Sequence, residues 1–268
     1  MTSNKAYDAA IAEGIIGLAM KAGSKILEIY ATDFQIDRKD DASPVTEADR
    51  AGEEIILSGL KEIAPDIPIL AEEQASKGCI PTLGDQFFLV DPLDGTKEFI
   101  NRTGEFTVNI ALIRSGRPVV GVVYAPAINR LYAGDVAQGA WACEVSDEGV
   151  LGARHTIIAS PTPKEGLIAV ASRSHRSPET DAFLETLDIA DFEAAGSSLK
   201  FCLVAEGKAH IYPRFGRTME WDTGAGQAVL EAAGGAVIVY PGGEHLRYAK
   251  SERGFDNPHF IAWGRRTE

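Results

Sequence analysis

Apolar residues recur at every third or fourth position near the start of the chain, between Tyr7 and Tyr30. This period is typical of an amphipathic α-helix that buries one face. A second helix is predicted to begin after Thr46, a candidate N-cap, with Asp49 three residues on as the capping acid. It is predicted to run to about Ile63, since Pro65 would then interrupt it.

Short apolar runs rich in β-branched and aromatic residues follow the second helix, and they predict strands. The predicted strands are Ile67–Ala71, Gln86–Val90, Thr107–Arg114, Val119–Tyr124, Leu131–Ala133 and Ala140–Cys143. The segment Gln74–Asp85 contains two glycines and a proline, which predicts a mobile loop. The first part of the chain therefore combines two helices with a mainly antiparallel sheet.

Strand and helix signals alternate after about residue 157, which is typical of a smaller α/β unit. The predicted strands here are Leu167–Ala171, His210–Tyr212 and Ala236–Tyr240, and the predicted helices are Glu179–Leu187, Ser198–Glu206 and Asp222–Ala233. We therefore predict an α+β or α/β protein with two lobes, residues 1–157 and residues 158–268.

Composition narrows the classes of function. Of the 268 residues, 45% are hydrophobic and 24% charged, and the net charge is −13. Such a charge disfavours non-specific binding to nucleic acid or to an anionic membrane. No apolar run approaches the length of a transmembrane span, and the N-terminus lacks the pattern of a secretion signal. Three widely spaced cysteines suit reduced thiols, so we expect a cytoplasmic protein.

The hexapeptide from Asp91 to Thr96 directly follows the predicted strand Gln86–Val90, and Pro92 within it is predicted to end the strand ladder. Its two carboxylates, on Asp91 and Asp94, are costly to bury unless a cation neutralises them, and Mg²⁺ prefers such oxygen ligands. Gly95 and Thr96 add backbone N–H groups of the kind that hold a phosphate oxygen. An ordinary turn is the alternative, because Asp, Pro and Gly are common turn residues.

Three further acidic residues occur where an element begins or ends. Glu72 directly follows a predicted strand, whereas Asp49 and Asp222 open predicted helices. A carboxylate in the first turn complements the helix macrodipole, so helix capping alone explains Asp49 or Asp222. Glu72 taken alone is typical of a surface residue. Only the combination with the hexapeptide indicates a metal-and-phosphate site.

Together these blocks resemble the inositol monophosphatase superfamily of Mg²⁺-dependent, lithium-sensitive phosphatases. The blocks are Glu72-Glu73, Asp91–Thr96 and Trp221–Gly226. Three segments are similar to the 3′(2′),5′-bisphosphate nucleotidase branch of the CysQ type, namely Glu220–Thr223, Ser172–His175 and Gly196–Lys200. The resemblance implies the layered α-β-α-β-α sandwich of the sugar-phosphatase type.

The resemblance also implies a set of metal ligands. Carried over position by position, they are the side chains of Glu72, Asp91, Asp94 and Asp222 and the backbone carbonyl of Leu93. Several carboxylates of this kind gather two or three Mg²⁺ ions, which activate a water and neutralise the phosphate. Two or three Mg²⁺ ions are therefore the expected cofactor.

Asp49 and Thr96 match the water-activating pair of the family. The positions that resemble its substrate contacts are Glu72, Gly95, Thr96, Ser172, His175, Gly196, Lys200 and Asp222. His175 and Lys200 are candidates for the 5′-phosphate and ribose end, although a lone histidine is more often structural and a lone lysine more often exposed. Arg173, Arg214 and Arg217 could add positive charge there, but the sequence does not fix their direction.

The implied reaction is hydrolysis of the 3′-phosphate of adenosine 3′,5′-bisphosphate to AMP, with the 5′-phosphosulfate analogue as a second candidate. Inositol-1-phosphate hydrolysis is the alternative. Phe215 weakens this alternative, because inositol phosphatases usually have an acidic residue at the corresponding position. An apolar ring could instead pack on a nucleotide base. A non-catalytic protein that binds a phosphorylated metabolite is a remote third hypothesis. The resemblance leaves a homodimer open and allows peripheral association with the inner face of a bacterial membrane.

Overall fold

The computed structural model describes residues 5–38, 44–171 and 177–265. The α-helices of these ranges are α1 (Lys5–Tyr30), α2 (Glu47–Ile63), α3 (Glu72–Ser76), α4 (Thr96–Ile100), α5 (Pro178–Leu184), α6 (Leu199–Ala205) and α7 (Glu220–Ala232). The capping box predicted for α2 is confirmed, with Thr46 at the N-cap and Asp49 as the acid. Both N-terminal helices are confirmed to within two residues of their predicted bounds.

The same ranges contain fourteen strands. They are β1 (Ile36–Arg38), β2 (Pro44–Thr46), β3 (Ile69–Ala71), β4 (Gln86–Asp94), β5 (Thr107–Arg114), β6 (Arg117–Ala125), β7 (Arg130–Asp135), β8 (Gly139–Glu144), β9 (His155–Ile157), β10 (Leu167–Ala171), β11 (Ile189–Ala194), β12 (Ile211–Arg214), β13 (Ala236–Val239) and β14 (Phe260–Trp263). The first two form a small antiparallel pair beside the start of α2.

Strands β3 to β9 form a seven-stranded sheet in sequence order. Its pairs are antiparallel except for β3 and β4, which run parallel. Side chains alternate between the faces, so Phe88 and Val90 join the core under α1 and α2, whereas Phe87 and Leu89 join the core under α6 and α7. Helices therefore cover both faces of this sheet.

A five-stranded sheet follows, in the order β11-β10-β12-β14-β13. Strand β10 runs parallel to β11 and to β12, and the remaining pairs are antiparallel. Helices α6 and α7 lie between the two sheets, since their apolar residues share one core with Val170 and Phe260. On the outer face, Leu184 of α5 packs with Ile211. The layers are thus α-β-α-β-α, which confirms the predicted fold class.

Two paired glycines let α7 lie close to the seven-stranded sheet. Gly121 of β6 is opposite Gly134 of β7 in the ladder. A Cβ on Gly121 would lie 2.6 Å from the Cβ of Ala228 and 2.7 Å from the carbonyl oxygen of Ala225. A Cβ on Gly134 would lie 2.6 Å from the Cα of Val229. Larger residues at either strand position would therefore push α7 away from the sheet.

One prediction about the hexapeptide is wrong, because Pro92 does not end the strand ladder. Strand β4 continues to Asp94, which is paired with Thr107, and the register shifts between Asp91 and Asp94. Pro92 lies in that irregularity, where a missing N–H does not interrupt the ladder. The predicted loop Gln74–Asp85 is also wrong at its start, because α3 extends to Ser76.

The sequence did not predict five strands of the structure, which are β1, β2, β9, β11 and β14. The predicted lobe boundary falls between β9, the last strand of the first sheet, and β10, which belongs to the second. Cys79, Cys143 and Cys202 are free thiols, and Cys79 is exposed. Within the described ranges, no helix is both long enough and apolar enough to cross a bilayer.

Candidate metal and active site

The acidic residues singled out in the sequence lie where the seven-stranded sheet meets the N-terminus of α7. Strands β3 and β4 are parallel neighbours with Ala71 opposite Val90. The next residue of each strand therefore brings Glu72 beside Asp91, which is only 2% exposed. Asp222 lies in the first turn of α7. The fold thus explains how carboxylates from distant parts of the sequence meet.

The pKa values show how strongly these carboxylates act on one another. Burial raises the pKa of Asp91 well above its ordinary value, and the charges of Glu72, Asp94 and Asp222 raise it further. Burial likewise raises the pKa of Asp222, with Asp94 and Glu72 as the next causes. The pKa of Asp94 is also raised by burial, although the Lys200 ammonium opposes that shift. The four carboxylates therefore form one electrostatically coupled group, here called the acidic centre.

Hydrogen bonds hold one oxygen of several of these carboxylates. The Leu93 backbone N–H donates to Asp91 Oδ1 at 3.0 Å. The Met219 backbone N–H donates to Asp222 Oδ2 at 2.8 Å, as a capping acid requires. The Ser198 hydroxyl lies 3.0 Å from Asp94 Oδ2. The orientation of each side chain is therefore fixed by its surroundings.

The acidic centre fits a hard divalent cation in the chemistry of its donors, which are carboxylate oxygens with a backbone carbonyl, that of Leu93, nearby. Within the described ranges, no group of three or more His, Cys, Asp or Glu side chains is arranged to hold an ion as it stands. A side-chain interaction with Glu72 also contributes to the raised pKa of Asp91, which is due mainly to burial. A divalent cation would favour the ionised forms of these carboxylates, because metal binding and protonation compete for the same oxygens.

Asp49 and Thr96 lie together beside the acidic centre. The Thr96 hydroxyl donates to Asp49 Oδ1 at 3.3 Å and lies 3.4 Å from the Leu93 carbonyl oxygen. The backbone N–H and the hydroxyl of Thr46 both donate to Asp49 Oδ2 at 2.7 Å. Burial raises the pKa of Asp49 to about 6, although the two bonds from Thr46 oppose the shift. Asp49 is therefore a buried base with one oxygen directed at Thr96.

A further buried acid, Glu53, was not singled out in the sequence. It lies one turn after Asp49 on α2 and accepts the Glu73 backbone N–H at 2.8 Å. Burial raises the pKa of Glu53 to about 7, and the charge of Glu73 adds to the shift. The only sequence signal was its spacing of four from Asp49, which places both on one helix face.

A cavity of about 720 Å³ opens beside the acidic centre. Its lining includes Asp94, Gly95, Lys200, Arg214, Phe215 and Asp222. Gly95 has φ of 90°, a conformation that glycine adopts without strain, as expected for a tight turn. Burial lowers the pKa of Lys200 to about 8, although the Asp94 carboxylate opposes this. The cavity lining thus combines carboxylates with cationic side chains.

The remaining candidate residues divide into three groups. Ser172, Arg173 and His175 lie outside the described residues. Gly196 is buried against Glu105, whose carbonyl oxygen would lie 2.6 Å from a Cβ at this position. The guanidinium of Arg217 pairs with Asp256 at 2.9 Å rather than adding to the cationic residues of the cavity lining.

Phe215 is only 7% exposed. Its ring stacks on Tyr240 and on His259, with centroids 5.0 and 5.5 Å away. Little of the ring is therefore left for a base to stack on. Phe215 is part of an aromatic cluster in the cavity wall, which also includes Phe183.

Comparisons with known proteins agree with this arrangement. The sequence profile of the Inositol monophosphatase family matches residues 8–261. The chain is 46% identical over 252 residues to the 3′(2′),5′-bisphosphate nucleotidase CysQ of Salmonella typhimurium, which covers 92% of this chain and 97% of the relative. It is equally identical, over 247 residues, to the enzyme of that name in Escherichia coli K12, with 91% and 95% coverage.

Solved structures give the same result for the fold. The crystal structure of CysQ from Bacteroides thetaiotaomicron superposes with a TM-score of 0.79 at 41% identity, covering 96% of this chain and 97% of that one. An inositol monophosphatase from Thermotoga maritima superposes with a TM-score of 0.73 at 25% identity, covering 92% and 89%. The resemblance read from the acidic motifs is confirmed, and the chain belongs to the inositol monophosphatase family.

Proposed function

We propose that this protein is a Mg²⁺-dependent 3′(2′),5′-bisphosphate nucleotidase that hydrolyses the 3′-phosphate of adenosine 3′,5′-bisphosphate to give AMP and phosphate. The observation that carries the proposal is the 46% identity, along nearly the whole chain, to relatives named for that activity. The acidic centre, which opens into a cavity with a buried lysine, is the chemistry that such a reaction needs.

The cation would be held by the acidic centre. Members of this family are metal-dependent phosphatases, generally with Mg²⁺. We assign the ligands to Glu72, Asp91, Asp94, Asp222 and the Leu93 carbonyl, for two or three ions. When bound, the ions supply Lewis-acid stabilisation of the phosphate and a water of lowered pKa. Bound cations would also offset the mutual repulsion that adds to burial in raising the pKa values of Asp91 and Asp222.

Asp49 and Thr96 would direct the attacking water. Asp49 Oδ1 accepts the Thr96 hydrogen, so a lone pair of the Thr96 oxygen remains to orient a water. Asp49 is then the group that takes up the proton, because it is the buried carboxylate that accepts the hydrogen bond from Thr96. The two bonds from Thr46 keep Asp49 Oδ2 occupied, so that only Oδ1 faces the reaction. Attack in line at phosphorus requires mainly such positioning.

The cavity would receive the rest of the nucleotide. Gly95 and the start of α4 present backbone N–H groups, and Lys200 contributes positive charge beside Asp94. Arg214 is a second cationic group in the cavity lining. We retain Ser172 and His175 as proposed contacts because their segment is similar to that of the nucleotidases. A volume of about 720 Å³ is within the range usual for small-molecule sites.

The test is release of phosphate from adenosine 3′,5′-bisphosphate and from inositol 1-phosphate, each assayed with Mg²⁺ and with EDTA. The proposal expects faster turnover of the nucleotide, dependence on Mg²⁺ and inhibition by Li⁺, which is typical of the family. The 5′-phosphosulfate analogue is a third substrate in the same assay. Faster hydrolysis of inositol 1-phosphate would contradict the nucleotide assignment, and turnover of no substrate would indicate a binding protein.

A further inference from the structure

Ser198 directly precedes α6 and is 1% exposed, although its side chain is polar. Its hydroxyl oxygen lies 3.0 Å from Asp94 Oδ2 and 2.9 Å from the backbone carbonyl oxygen of Asp222. The side-chain amide of Asn109 donates to the same hydroxyl at 3.0 Å. Ser198 thus contacts both segments that carry the proposed ligands nearest the cavity.

The direction of these hydrogen bonds follows from the donors available. A hydroxyl has one hydrogen and two lone pairs, and the Asn109 Nδ2 group can only donate. Asn109 therefore occupies a lone pair, and the single Ser198 hydrogen is shared between the acceptors on Asp94 and Asp222. Asn109 is buried in β5 directly opposite Asp91, so the strand ladder fixes the backbone from which its side chain extends.

The neighbouring serine secures the backbone of the same aspartate. The Ser197 hydroxyl lies 2.8 Å from the carbonyl oxygen of Asp94 and 2.8 Å from that of Glu105. The main chain and the side chain of Asp94 are thus held by two consecutive hydroxyl groups. Gly95 leaves room for this contact, since a Cβ on it would lie 2.2 Å from Ser197 Oγ.

We propose that Ser198, oriented by Asn109, is a positioning residue that fixes the Asp94 carboxylate against the first turn of α7. Its bond to Oδ2 leaves Asp94 Oδ1 for the cation and keeps Asp94 at a constant separation from Asp222 despite the repulsion between the two carboxylates. This inference rests on the proposed function, because it takes Asp94 as a ligand. Residues that orient metal ligands in this way typically contribute about 10- to 100-fold to metal affinity.

The experiment is a Mg²⁺ titration of Ser198→Ala, followed by thermal unfolding without substrate and, in parallel, by turnover. We expect the half-saturating Mg²⁺ concentration to rise about 10- to 100-fold in both measurements. Ser160→Ala is the matched control, because it also removes a serine hydroxyl. That hydroxyl donates a hydrogen bond to the Gly207 carbonyl, away from the acidic centre. The control should keep the wild-type Mg²⁺ dependence.

Asn109→Ala is a second variant, which removes the donor to Ser198 without touching Asp94. It should shift the Mg²⁺ dependence in the same direction, and it carries the test if Ser198→Ala does not fold. The inference is overturned if either folded variant titrates like wild type, or is less stable in EDTA without a changed Mg²⁺ requirement. The proposed function fails separately if wild type shows neither Mg²⁺-dependent stabilisation nor Mg²⁺-dependent turnover. An Asp94→Asn variant with the wild-type Mg²⁺ dependence would instead remove Asp94 from the ligand set and overturn this inference alone.

Discussion

The Asp49 carboxylate and the Thr96 hydroxyl are 3.3 Å apart although 47 residues separate them in the chain. Each lies at the N-terminal end of a helix, α2 for Asp49 and α4 for Thr96. Thr46 holds the other oxygen of Asp49 through its own capping interaction. The capping box that starts α2 therefore also orients the proposed base.

Thr96→Val should lower kcat by about 10²- to 10⁴-fold, the usual contribution of a positioned proton-transfer group. Valine keeps the shape of threonine but cannot bond to Asp49 or to a water. Thr96→Ser is the matched control, because it keeps the hydroxyl and should retain most of the activity. Steady-state kinetics at saturating Mg²⁺ checks the pair. Loss of activity in Thr96→Ser but not in Thr96→Val would mean that the methyl group, rather than the hydroxyl, matters.

Asp94→Asn should lower turnover about 100-fold or more while leaving the fold intact. Cation stabilisation of the phosphate contributes several kcal/mol, and each 1.4 kcal/mol corresponds to a factor of ten in rate. The asparagine side chain still has an oxygen that can accept the Ser198 bond. Circular dichroism and phosphate release check the two parts of this prediction. Retained activity would remove Asp94 from the ligand set.

Glu53 should make unfolding in EDTA depend on pH. Its folded pKa of about 7 exceeds the ordinary value of 4.5, so between these pH values the folded state retains a proton that the unfolded state has lost. Stability therefore falls as pH rises through this window. At about 1.4 kcal/mol per pKa unit, the cost above pH 7 is about 3 kcal/mol at most.

Glu53→Gln should remove that cost, because glutamine still accepts the Glu73 N–H but carries no charge. We expect the variant to be more stable than wild type in urea unfolding at pH 8 and similar to wild type at pH 4.5. Glu54→Gln, at the exposed neighbouring position, is the control and should change stability little at either pH. An equal effect of Glu53→Gln at both pH values would exclude titration as its cause.

Gly121→Ala should destabilise the protein by about 1–3 kcal/mol, the usual cost of overpacking a core. The added methyl would meet Ala228 and the Ala225 carbonyl at distances that force α7 outward. Gly17→Ala is the contrasting substitution, because nothing lies within 4 Å of its Cβ position on α1. It should stabilise by up to about 1 kcal/mol, through helix propensity alone. Urea unfolding of both variants gives the comparison.

Much of the fold could be predicted from local pattern. The periods of α1 and α2 and the Thr46–Asp49 capping pair carry their information within a few residues, and the structure agrees. Strand β11 could not be predicted, because Ile189–Ala194 is an edge strand with mostly exposed residues and no alternation. Pro92 misled the sequence analysis for a related reason, since a register shift in the neighbouring pairing accommodates it.

The acidic residues of the site could be proposed because their combination with the hexapeptide resembles a known family, although helix capping alone explains Asp49 or Asp222. The groups that orient these carboxylates could not be proposed from the sequence. Ser198 and Asn109 are 89 residues apart, and neither belongs to a repeated pattern or charged cluster. Only the fold shows that β5 and the start of α6 lie side by side. Glu53 was overlooked because a glutamate in an amphipathic helix is ordinarily exposed.

Helix α7 carries Asp222 at one end and contacts Gly121 and Gly134 farther along its length. One added residue in an α-helix rotates everything beyond it by about 100°. A single-residue insertion between Asp222 and Ala225 would thus rotate the carboxylate relative to the part of α7 that packs on the two glycines. The helix could then keep its packing against the sheet or the position of Asp222 in the acidic centre, but not both. We therefore expect this stretch to tolerate replacement of one residue by another but no change in length.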